Sequence, residues 1–141
     1  MNPSRTDGWL RAIVAATVVL HLAVLFWHGA AHARIPVPLT SLQLAFVIVV
    51  IYVLPVVGGI LVWTKRRVTG AWLVTLSMLA SLLFGFINHF TRISPDYVLE
   101  VPENPWRHSF VVSAALLAVT ETVGTVVGAI AVGIWVEDRP T

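Results

Sequence analysis

Basic residues in this chain fall at the ends of long apolar blocks. They do not recur with the two- or 3.6-residue periods that mark a half-buried strand or a surface helix. Residues 1–8 (MNPSRTDG) are polar, and from Trp9 to about Arg34 nearly every residue is Ala, Val, Leu, Ile, Phe or Trp. Pro36 and Pro38 end that block and predict a short, tight connection. A second apolar block, Leu39 to Trp63, closes abruptly on Lys65-Arg66-Arg67. A third runs from about Val68 to Phe90 and a fourth from about Ser109 to Val136. Each reaches the roughly 20 residues that a helix needs to cross the hydrocarbon core of a bilayer.

The pattern therefore predicts an all-α, integral membrane four-helix transmembrane bundle forming a single domain over residues 1–141. Its spans are expected at about 9–34, 39–63, 68–90 and 109–136. The one sizeable loop, 91–108, holds Pro95, Pro102 and Pro105 with the charges Arg92, Asp96, Glu100, Glu103 and Arg107. Within the second span, Pro55 followed by Gly58 and Gly59 predicts a kink. The first block also has signal-peptide features: Arg5 and Arg11, an apolar core, and Ala31-His32-Ala33 as a cleavage-like site. Its apolar run from Ala12 to Ala31 is about 20 residues, long enough to span, so a retained helix is the expectation. Cleavage would remove His21, His28 and His32 together.

Composition sharpens the class. The chain is 57% hydrophobic and 11% charged, with a mean hydropathy of +0.86. Soluble domains carry about 25% charged residues, so a fully water-facing surface is excluded. Absence of cysteine excludes disulfides, thiolate metal sites, iron–sulfur clusters and a cysteine nucleophile. The nine Lys and Arg residues sit at block ends, which makes them topology signals and argues against a nucleic-acid footprint. With both termini cytoplasmic, Arg5, Arg11, Lys65, Arg66, Arg67 and Arg139 lie inside, against Arg34, Arg92 and Arg107 outside. The positive-inside rule thus predicts N-in and C-in insertion in the cell's inner (plasma) membrane. No dinucleotide, P-loop, HExxH or GxSxG pattern is present.

Candidate chemistry is concentrated in the five histidines and one acid. On a helix His21, His28 and His32 fall within roughly 40° of one another at about 100° per residue. The i, i+4 pair His28 and His32 presents two imidazoles on one face, a common way to hold zinc or copper. In the predicted topology His89, beside Asn88, lies at the outer end of the third span, and His108 at the outer start of the fourth. These four histidines are the candidate metal ligands, with His108 the optional fourth. Glu121 is the only carboxylate within a predicted span, roughly 20 Å along its helix from His108, and an intramembrane ionisable residue is a functional candidate by default. His21 reaches a similar depth, so a His21–Glu121 pair is expected as a deeper polar step, either a ligand pair, a proton relay or a structural clasp.

Small residues add a packing signal. Ala114, Ala118, Glu121, Thr125 and Gly128 share one face of the fourth helix; Ser77, Ser81 and Gly85 step by four along the third. These faces are expected to bring the two helices together, and Gly124/Gly128 also offers a route to a homo-oligomer. The loop residues Asp96, Tyr97, Glu100, Glu103, Trp106 and Arg107 are read as a lid over the histidines or a docking surface, with Tyr97, Trp106 and Trp27 also suited to an interfacial belt.

The sequence reading that follows is a histidine-based copper or zinc site at the extracytoplasmic end of the bundle, serving metal binding, delivery or transport. One alternative is an accessory subunit of a larger membrane complex without chemistry of its own. The other is a b-type haem held by His28 or His21 against His89, ranked lower because Phe84, Phe86 and Phe90 crowd the third helix. No pattern demands an enzyme, although Glu121 could act as an acid or base beside a metal-bound water.

Overall fold

A computed structural model describes residues 3–35 and 37–138, which are helical with connecting turns and contain no strand. Helix α1 spans Pro3–His32, α2 Ser41–Leu61, α3 Arg67–Thr91 and α4 Arg107–Glu137. All four are long and apolar enough to cross a membrane. Helix α1 begins at Pro3, six residues ahead of the expected Trp9, and the other helix ends lie within two residues of the apolar blocks, because Pro, the Lys65-Arg66-Arg67 cluster and the polar loop interrupt the apolar runs at those points.

Local chemistry accounts for the irregular turns. Thr40 starts α2 with a capping box: its hydroxyl accepts from the Gln43 N–H (3.2 Å) and its own N–H donates to the Gln43 side chain (2.9 Å). In α2 the turn widens to a π-helix over Val47–Val53, ending just ahead of Pro55. Pro55 has no N–H to offer the Ile51 carbonyl four residues earlier, so the break predicted there takes the form of a widened turn. A second π turn, Ile87–Thr91, ends α3 and carries Asn88 and His89.

Packing divides the molecule lengthwise. At one end, called here the arginine end, Leu10, Val14, Val18, Val62, Val74, Met78, Val132 and Trp135 form a buried cluster. Backbones approach directly: a Cβ on Gly70 would lie 2.7 Å from the Gly58 carbonyl oxygen, and one on Gly128 2.5 Å from Thr75 Oγ1. Gly124 is filled by Met78, whose Cγ would sit 2.9 Å from an added Cβ. The small face of α4 is thus occupied by α3 of the same chain. Asp7 ties this end together by pairing with both Arg11 and Arg67 at 2.7 Å, and the Arg67 guanidinium lies 5.6 Å from the Trp135 ring centroid.

At the opposite, histidine end, the loop after α3 folds back over the bundle. Val101 and Phe110 join Ala31 and Ile35 in a small buried cluster, and the Val98 N–H donates to the His89 carbonyl at 3.0 Å. Arg34 lies over Trp106 at 5.5 Å. Around the whole bundle, large apolar side chains such as Val19, Phe26, Ile60, Leu76, Val119 and Val126 point outward and are at least half exposed. So wide an apolar exterior is consistent with a multi-pass membrane protein.

Candidate metal centre

Three imidazoles meet at the histidine end. His28 and His32 come from adjacent turns of α1, His89 from the π turn of α3. One nitrogen from each lies within 4.8 Å of the others, a spacing that could hold a metal ion. The rings touch edge to face, with centroids 4.7 Å apart for His28–His32 and 4.9 Å for His28–His89.

The surrounding hydrogen bonds assign roles to the ring nitrogens. Ser113 on α4 donates its hydroxyl to the Ser109 carbonyl (2.6 Å), so its oxygen accepts from His28 Nδ1 at 2.9 Å. His28 Nε2 is then a lone-pair nitrogen, buried and without a partner. His89 Nδ1 donates to the Asp96 carbonyl at 3.1 Å, with the Asp96 carboxylate 3.2 Å away, which leaves Nε2 of His89 equally free to ligate. His32 Nε2 stands 3.5 Å from the same carboxylate. Two groups outside the triad, Ser113 and Asp96, therefore orient its imidazoles. Phe110, fully buried, closes one side, with its ring centroid 4.9–5.4 Å from all three imidazoles.

The other side opens into a cavity of about 130 Å³. Its walls include Leu25, Ile51, Tyr52, Phe84 and Leu117, and its lining also includes Ser81 and Glu121. Glu121 is buried, with Oε1 accepting the Ser81 hydroxyl. A Cβ built on Gly85 would lie 3.9 Å from Glu121 Oε2 and 3.8 Å from His89 Cδ2. The space left by the missing glycine side chain is thus bordered by both the carboxylate and the third imidazole.

Other expected members of the site lie elsewhere. His108 is exposed and is not part of the group of three. Phe110 faces the triad, and a residue two positions earlier on a helix points about 200° away from it. His21 is fully buried, but neither ring nitrogen has a hydrogen-bond partner, and Glu121 is engaged by Ser81 instead. The expected His21–Glu121 pair does not form. Glu121 faces α3 through Ser81, whereas His21 lies near the Ile51 backbone of α2. Ser113 and Asp96 were the residues hardest to foresee. In the sequence Asp96 reads only as part of a lid, and Ser113 carries no signal beyond being one helical turn from Ser109.

No protein-family model, no curated protein and no solved structure matches this chain.

Proposed function

We propose that the chain is a multi-pass membrane protein that binds a zinc or copper ion through His28, His32 and His89. The observation that carries this reading is the convergence of three imidazole nitrogens within 4.8 Å, with His28 Nε2 buried and unpartnered. A buried polar nitrogen without a partner is costly, and a cation offers what the protein does not. Three neutral imidazoles suit zinc and copper, whereas hard oxygen-seeking ions such as magnesium and calcium prefer carboxylates and carbonyls. Direct ring contact between His28 and His89 argues against haem, which would need a slot between its two axial ligands.

The distribution of basic residues supports N-in and C-in insertion, with the triad toward the extracytoplasmic side. The close-packed arginine end, where Met78 is seated on Gly124 and the backbones of Gly58 and Gly70 meet, supports holding or delivering an ion over conducting it across the bundle. Metal analysis of the purified protein, alongside its visible spectrum, tests the reading. About one equivalent of zinc or copper is expected without a Soret band. A metal-free protein that takes up neither ion on addition would overturn it.

A further inference from the structure

We propose that the ion in the triad is catalytic, activating water to hydrolyse an acyl ester whose apolar chain occupies the cavity, with Glu121 as the general base. This rests on the metal reading above and goes beyond it by naming a reaction, a substrate class and a catalytic acid–base group.

Three observations converge. The first is the ligand count. Zinc sites that only hold structure together are closed by four protein ligands, whereas catalytic ones have three and keep a position for water. Here Phe110 walls one side of the three imidazoles and the open side faces the cavity.

The second is the placement of the carboxylate. Ser81 holds Glu121 by Oε1, and Oε2 borders the space over Gly85 that His89 Cδ2, the ring carbon next to Nε2, also borders. Glu121 and the three imidazoles line one cavity, so a water on an ion held by the triad would share that space with a fixed carboxylate, the placement a general base requires.

The third is the pocket's shape. Its lining includes Glu121, and one turn further along α4 Met78 is seated tightly on Gly124. Its lining extends to Leu39, Val47, Phe86 and Phe90, between α2 and α3. The first turns of α2, Ser41–Phe46, bury no residue, and Phe46 stacks on Phe84 of α3 at 4.9 Å. An apolar lining between α2 and α3 suits a molecule dissolved in the bilayer, and the polar groups at the triad would engage that molecule's one polar group.

Hydrolysis requires only water as co-reactant. The water oxygen bonds to the ester carbonyl carbon while one of its protons passes to Glu121 Oε2. Collapse of the tetrahedral adduct breaks the bond to the alkoxy oxygen, which receives that proton from Glu121. A carboxylic acid and an alcohol leave, Glu121 is again ionised, and no electrons are transferred to or from an outside group. The ion's part is to acidify the water and to stabilise charge on the carbonyl oxygen.

The test uses the full chain in detergent micelles, loaded with zinc to a measured stoichiometry, and follows 4-nitrophenolate release from 4-nitrophenyl octanoate. Release above the zinc-containing micelle background is expected. Glu121→Gln should lower it by roughly 10²–10⁴-fold, the usual contribution of a general base, while retaining zinc. Gly85→Leu, which fills the space between Glu121 and His89, should abolish release and also retain zinc. Zinc-loaded protein no faster than background, or either variant as active as the parent, overturns the proposal and leaves metal binding standing. If Glu121→Gln does not fold, Gly85→Leu alone decides. A protein that retains no zinc overturns the reaction at the earlier step, and the metal reading falls with it only where copper is not taken up either.

Discussion

The two ends of the bundle are built from similar apolar sequence but solve opposite problems. At the arginine end glycines bring backbones into contact, Met78 fills the gap over Gly124, and Trp135 is fully buried. At the histidine end the same α1, α3 and α4 helices enclose polar side chains and a cavity of about 130 Å³. Close packing gives the first region its stability, since side chains fitted to native density leave few voids. The second gives up some of that packing to hold three imidazoles and a carboxylate, and spends hydrogen bonds from Ser113, Ser81 and Asp96 to orient them. A dry, tight half supports an open, polar half. That division is how a chain of only 141 residues can be rigid and still have room for a ligand.

Mutations should separate the two regions, and the largest effects belong to the ligands. His28→Ala, His32→Ala or His89→Ala should each remove stoichiometric metal while helical circular dichroism is unchanged. Each should also abolish the stabilisation by added ion, about 2.7 kcal/mol when free metal is a hundredfold above its dissociation constant. Full metal retention in all three would erase the distinction between the ends. Ser113→Ala removes the acceptor of His28 Nδ1 and should weaken metal binding by roughly 10–100-fold, read by competition with a chelator.

At the other end, Gly70→Ala should destabilise the fold by roughly 1–3 kcal/mol in thermal or denaturant unfolding, because its Cβ meets backbone that cannot move aside. Metal affinity of the folded protein should be unchanged. A coupled loss of affinity would mean that the two halves are not independent. The smallest effect is expected for Thr40→Ala, which removes one capping box and should cost about 1 kcal/mol without touching metal content.

Much of this plan is written openly in the residues, and the exceptions are instructive. Four apolar blocks bounded by Pro, Lys and Arg fix four helices, because backbone polar groups in an apolar setting must pair within their own segment. The step of four between His28 and His32 places both on one face of α1 without any tertiary information. His89 was harder, since its direction depends on a π turn that leaves no pattern in INHFT. His108 stands next to the right helix end but faces away from Phe110's side. Glu121 shows the limit most clearly. Its depth could be counted from the helix start, but its partner depended on which neighbouring helix it faced, and Ser81 of α3 took the position expected for His21. Periodicity reports which residues share a face; only packing decides what that face meets.

The wide turn at the end of α3 carries a further consequence. One extra residue in a helical turn rotates everything beyond it by roughly 100° relative to what precedes it. The part of α3 before Ile87 can therefore keep Ser77, Ser81 and Gly85 aligned with α4, while His89 is aimed independently at α1. Shortening that segment by one residue would restore a regular ladder and swing the imidazole out of the cluster, leaving the scaffold intact. Scaffold and ligand are thus joined through an adjustable coupling one amino acid long.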